Sequence, residues 1–199
     1  MMKNSLFVLL LVFNWTYSQG KFNKNNAEKF QKKINSEYAD AKTSPLKDED
    51  LKTFKSLEFY PLSSKYFVNA KLVRSKNEKA FDMKTSTSRR PKYIKFGTVF
   101  FTLNGVPLQL SVYQDVELSK KEEYKDYLFL PFLDLTCGKG SYAGGRYIDL
   151  KIPMGDMISI DFNQAYNPYC AYNYKYSCPI VPSENDLNVE IKAGVKTFH

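Results

Sequence analysis

The chain has 199 residues, a formal charge of +8, and 16% aromatic residues, among them 15 Tyr and 15 Phe. With its first 18 residues set aside as a leader, about 180 remain, which suits one domain with a real core rather than two. A single histidine, His199 at the very end, leaves no imidazole for a Ser-His-Asp or Cys-His arrangement or for a histidine metal site.

Lys3 is followed by an unbroken apolar run from Leu6 to Phe13 and then by Thr16-Tyr17-Ser18, with small residues where a signal peptidase reads. This pattern predicts an export signal over residues 1–18, a mature chain from about Gln19 to His199, and a periplasmic or extracellular location. Spanning a bilayer takes about 20 apolar residues, so no integral membrane segment is expected. The first cysteine is Cys137, which argues against a lipid anchor beside the leader.

Ala27, Phe30, Ile34, Tyr38 and Ala41 recur at helical spacing, so an amphipathic helix is expected to end before Ser44-Pro45. A second short helix is expected over Asp48 to Leu57, with Asp48 as its cap. From Tyr66 the period becomes two: Val68, Ala70 and Leu72 predict a strand, and Ala80 to Lys84 predict another. Residues 96–115 form the clearest hairpin, because Asn104-Gly105 tolerates the positive φ that a tight type I′ turn needs. Leu128 to Leu133 predict a further strand. Residues 146–163 suggest a second hairpin turning at Pro153 to Asp156, and Leu187 to Ile191 a last strand. About eight strands with short connections predict a mainly β protein, an antiparallel sandwich or barrel-like sheet with one or two N-terminal helices packed on it.

The charge is uneven. Residues 19–95 carry 19 basic against 9 acidic side chains, and residues 96–199 carry 9 against 12. The lysines are interspersed with acids on element faces, so the excess reads as a solvated surface and no nucleic-acid partner is expected. The glycines of CGKGSYAGGRY lead into a strand rather than a helix, which argues for a turn and against a phosphate loop.

Strand parity marks the candidate site. Arg146 begins the row of Ile148, Leu150 and Ile152, and Asp134 ends the row of Leu128, Leu130 and Phe132. Two charges at the ends of apolar rows should meet each other or a polar pocket, as an ion pair closing the core or as an anchor for a small ligand. Asp161 and Asn163, just before Tyr166 and Asn167, could line a second polar surface or bond local backbone beside Asn167-Pro168. Asn185 and Glu184 carry the same ambiguity. A carboxylate pair drawn from Asp134, Asp149, Asp161 and Glu184, with Arg146 beside it, is the hydrolase alternative. No cofactor and no metal site are expected.

Cys170 and Cys178 lie in AYNPYCAYNYKYSCP. In an oxidising compartment this spacing favours a disulfide, with a metal clamp or a redox-active thiol pair as alternatives and Cys137 as the odd thiol.

The runs LFLPFLDLTCGKGSYAGGRYIDL, IDFNQAYNPYCAYNYKYSCPIVPSEN and IKAGVK, with FYPLSSKYFVNAKL and FDMKTSTSRRPKYIKFGTVFFTL before them, resemble the bacterial domain-of-unknown-function family 1684 over roughly residues 28–198. The resemblance implies a fold family and no activity. Its motifs fall on Asp134, Thr136, Tyr142, Gly144, Gly145, Arg146, Asp161, Asn163, Tyr166, Asn167, Cys170, Cys178 and Asn185, which implies that these residues converge. Ligand-binding candidates are therefore Asp134, Thr136, Tyr142, Arg146, Asp161, Asn163, Tyr166 and Asn167. Cys137 stands where the family usually has serine, and Val195 where its closing motif has glutamate.

Overall fold

The computed structural model describes residues 20–199, so the predicted leader lies outside the described residues. Two helices precede the sheet, α1 (Lys24–Ala39) and α2 (Asp48–Leu51). Seven strands follow: β1 (Phe67–Arg74), β2 (Phe81–Asp82), β3 (Lys92–Leu103), β4 (Val106–Asp115), β5 (Tyr127–Phe132), β6 (Arg146–Lys151) and β7 (Met157–Asp161). They form one antiparallel, curled half-barrel in the order β6-β5-β4-β3-β1-β7, with β2 paired to β3. The mainly β expectation holds.

Helix α1 starts where the Asn23 side chain accepts the Asn25 amide at 3.0 Å, and it buries Ala27, Ile34 and Tyr38. Helix α2 is shorter than expected. It stops after four residues, because the chain then runs extended along α1, where Asn35 Oδ1 takes the Leu57 amide at 2.8 Å in place of a helical carbonyl.

The β3–β4 hairpin turns at Asn104-Gly105, with φ of +53° and +79°. A register shift between Lys95 and Gly97 bulges β3, and a bulge adds local twist and bend to its strand. Alternate residues Val68, Ala70 and Leu72 of β1, Leu128, Leu130 and Phe132 of β5, and Ile148 and Leu150 of β6 fill the concave face.

Two sequence expectations are corrected. Strands β6 and β7 do not form a hairpin: β6 pairs with β5 and β7 with β1, at opposite ends of the sheet. The Ile152 amide turns back to the Asp126 carbonyl at 2.7 Å, and the Leu72 amide takes Asp156 O at 2.7 Å, so the connection spans the opening of the half-barrel. Residues 187–191 form no strand, although Leu187 and Ile191 are buried. Their backbone is held by side chains, since the Ile191 amide donates to Asp134 Oδ2 at 2.6 Å and its carbonyl accepts from Arg146 Nη2 at 2.9 Å.

The convex face is also covered. Tyr93, Tyr113, Phe129 and Tyr147 pack there with Met83 and Val181. Beside them Ile34 and Tyr38 of α1 join Leu46, Leu57, Tyr172 and Val195 in a satellite core. The segment after β7 therefore runs between helix and sheet, and the Tyr-rich stretch supplies both core and surface: Tyr172 is buried and Tyr174 is 85% exposed.

Candidate functional site

The charge pair expected at the end of the core forms, and it is sealed. Arg146 Nη2 lies 3.1 Å from Asp134 Oδ1, with both side chains wholly buried. The guanidinium sits over the Phe132 ring, 5.2 Å from its centroid, and donates to the carbonyls of Ala193 and Ile191. Thr136 Oγ1 donates to Asp134 at 2.8 Å and stands 2.7 Å from Ser141 Oγ. Asp134, Thr136 and Arg146 thus clasp the β5–β6 connection to the C-terminal segment. Gly145, at φ +87°, is part of the clasp: a Cβ there would lie 2.6 Å from the Phe132 carbonyl oxygen.

The next group of candidates is likewise spent on backbone. Asp161 caps the short turn that follows β7, accepting the Asn163 amide at 3.1 Å and Asn163 Nδ2 at 2.7 Å. Asn163 is fully buried, and its amide brackets Ser63, accepting the Ser63 N–H at 2.9 Å and donating to its carbonyl at 3.0 Å. Asn167 donates to the Lys196 carbonyl at 2.9 Å. Asn185 mimics a strand, accepting the Ser111 amide at 2.7 Å and donating to the carbonyls of Ser111 and Pro131 at 2.8 and 2.6 Å. Glu184 accepts from Tyr113 Oη at 2.7 Å. The four carboxylates of the hydrolase alternative therefore sit in four separate settings, and Asp149 alone of them faces open space in a cavity.

That cavity opens on the convex face, between β5, β6, α1 and the 166–179 segment, with a volume of about 360 Å³. Small-molecule sites range over about 300–1,000 Å³. Nine of its eighteen lining residues are Tyr or Phe, so half the wall is aromatic. Strand geometry makes it so: Tyr127, Phe129, Tyr147 and Asp149 share the face opposite Leu128, Leu130, Ile148 and Leu150, and Phe129 stands directly across from Asp149 in the ladder. The rings meet edge to face, Phe129 with Tyr147 at 4.7 Å and Tyr147 with Tyr166 at 5.9 Å, which gives walls at near right angles.

Asp149 Oδ1 accepts two phenols, from Tyr127 at 2.8 Å and from Tyr166 at 2.6 Å. Tyr166 reaches it because the capped turn at 162–164 redirects the chain, and its backbone then bridges Tyr147 at 2.9 and 3.0 Å. Burial, followed by the charge of Asp149, pushes both phenols well above their ordinary acidity range, so they remain donors. A second hollow, of about 380 Å³, lies by Asn104 and is rimmed by Lys65, Lys192 and Glu190 without comparable aromatic walls. Among the described residues there is no group of three or more His, Cys, Asp or Glu placed to hold a metal ion.

All three cysteines are free thiols, so the expected Cys170–Cys178 disulfide is not formed. The two are nonetheless neighbours. The Cys170 amide, in the turn after Pro168, donates to Cys178 Sγ at 3.2 Å, and Tyr142 Oη lies 4.0 Å from Cys170 Sγ. The hydrogen bond from Cys178 lowers the Cys170 thiol to about 6, against the opposing effect of burial, while Cys178, which lines the cavity, is pushed up. Cys137 packs by the clasp, where burial raises it. Val195 is buried in the satellite core.

Of the eight ligand-binding candidates Tyr166 alone lines the aromatic cavity, joined there by Asp149 from the hydrolase alternative and Cys178 from the thiol pair. The sequence reading passed over Tyr127, Phe129 and Tyr147, although the parity that sends Arg146 and Ile148 inward sends Tyr147 and Asp149 outward.

A family model described as "Protein of unknown function (DUF1684)" matches residues 52–196. The chain is also similar to an uncharacterized protein of Haloarcula marismortui, whose solution NMR structure superposes with a TM-score of 0.68 at 30% identity, covering 87% of this chain and 93% of that one. No curated protein matches.

Proposed function

Because the chain belongs to the DUF1684 family, whose description assigns no activity, we propose its function from the cavity: an exported, small-ligand-binding β module whose site is the aromatic cavity around Asp149. One observation carries the reading. A carboxylate stands exposed in a hollow half of whose lining is aromatic, and open apolar concavities with a few placed polar groups are where small ligands bind. The Asp134–Arg146 clasp then supports the site from behind, as structure. Export rests on the Lys3 to Ser18 pattern.

A survey of small fragments by amide NMR on labelled protein tests this. Perturbed amides should cluster at Tyr147–Asp149 and Tyr166–Tyr169, and Leu118→Trp, which fills the rim, should abolish them. Hits that scatter over the surface, or that survive the blocked rim, would overturn the reading.

The proximity of Cys170 and Cys178 supports a second element of the proposal, a disulfide formed after export. The Cys170 thiolate attacks the disulfide of an oxidised dithiol donor, and Cys178 displaces the donor from the mixed disulfide. The donor leaves as a dithiol carrying both electrons and the protons.

A further inference from the structure

We infer that the cavity is selective for a small free organic cation, an alkylated ammonium group seated against Asp149. This rests on the ligand-binding reading above and deepens it.

Three ionisable side chains other than tyrosine and cysteine line the cavity, Lys33, Glu37 and Asp149. Lys33 and Glu37 pair with each other at 3.7 Å on the outer surface of α1, which leaves the Asp149 charge uncompensated. No lysine or arginine among the described residues lies within ion-pair distance of Asp149. Its donors are the phenols of Tyr127 and Tyr166, which orient the carboxylate without neutralising it, and both bind Oδ1. Oδ2 has no protein donor among the described residues.

The walls select among the groups that could approach that oxygen. Rings carry negative charge on their faces, and aromatic boxes hold quaternary and alkylated ammonium groups better than neutral isosteres. An anion would meet Asp149 and the aromatic wall, and Lys33 at the rim is already paired with Glu37. A polyol would need several free donors and acceptors, but the Ser177 hydroxyl is already engaged by Thr87 at 2.6 Å and Arg89 at 3.1 Å, and Tyr147 Oη by the Pro179 carbonyl. Recognition must be local, because the chain as a whole carries a formal +8 and repels cations at long range.

The test is a titration of the full mature protein with choline and with its neutral carbon isostere, 3,3-dimethylbutan-1-ol, followed by amide NMR. Choline should bind at the Tyr147–Asp149 and Tyr166–Tyr169 amides at least tenfold more tightly than the isostere. Asp149→Asn, which keeps an acceptor for both phenols, should remove most of that preference. Equal or tighter binding of the isostere overturns cation selectivity and leaves the cavity as a ligand site. Failure of both probes, with neutral fragments still binding there, overturns it too. Failure of every fragment as well overturns both readings. Co-sedimentation with phosphatidylcholine vesicles, with no response to free choline, would assign the site to a lipid headgroup and also overturn the free-cation inference.

Discussion

Arg146 illustrates how one side chain can be indispensable without touching a ligand. It is held by Asp134, by the carbonyls of Ile191 and Ala193, and by the face of Phe132, with no exposure to solvent. Removing one member of such a pair leaves a buried charge alone, which costs about 3–5 kcal/mol. Arg146→Met and Asp134→Asn should therefore each lower the urea midpoint by a large step, and the cavity of any folded fraction should still bind its ligand. A variant of normal stability that no longer binds would return the site to this pair. The pairing was legible in the sequence from strand parity alone, since each charge ended an apolar row. Its enclosure was not, because the covering carbonyls come from residues 191 and 193, whose approach no local pattern records. Cys170 belongs to the same scale. In the reduced protein its thiol is lowered to about 6 and is mostly thiolate at neutral pH, so its alkylation by iodoacetamide should outpace that of Cys137 and Cys178 and fall off as pH drops through about 6. Alkylation of Cys170 that tracks an ordinary thiol near pH 8.5 would contradict the hydrogen-bonded pair.

Among the elements, the β4–β5 junction is the least regular part of the sheet. Its ladder pairs Tyr113 with Phe129, and the Asn185 side chain supplies the hydrogen bonds that a strand would have made to Ser111 and Pro131. Each buried backbone group left without a partner costs about 1–3 kcal/mol. Asn185→Ala should therefore destabilise the protein and release the Ser111 amide to fast hydrogen exchange. Slow exchange at Ser111 in that variant would show that the junction holds without Asn185. Period and turn chemistry revealed β1, β3, β4 and β5, and Asn104-Gly105 announced its hairpin. The same signals found β6 and β7 within residues 146–163 but misjudged their pairing, because alternation tells which face a side chain takes and says nothing of which strand lies alongside. They also read 187–191 as a strand, although an apolar alternation there serves a segment whose backbone is bonded to Asp134 and Arg146.

At the scale of the whole molecule, the curled sheet buries one face in the main core and lends the other to a cavity roofed by α1 and the Tyr-rich segment. The cavity was half visible in the sequence: an excess of tyrosine and the alternation at 127–129 and 147–149 were there to read, while the arrival of α1 and residues 166–179 over them is a tertiary fact. Oxidation should tighten this roof. A Cys170–Cys178 bond closes a short loop worth about 2–3 kcal/mol in the chain-entropy account. An intact mass of the protein recovered from an oxidising compartment, taken after thiol blocking, should show one blocked cysteine, Cys137, and a joined pair; three blocked cysteines would refute the disulfide. The clasp also constrains the order in which the fold can form. Val195 bridges Phe59, the Asn167 amide holds the Lys196 carbonyl, and Arg146 waits for Ile191 and Ala193. A chain emerging N-terminus first, from a ribosome or through a translocation pore, lacks these closures until residues 191–196 are out. The long-range closures at both ends of the fold are therefore expected to form only after residues 191–196 have emerged.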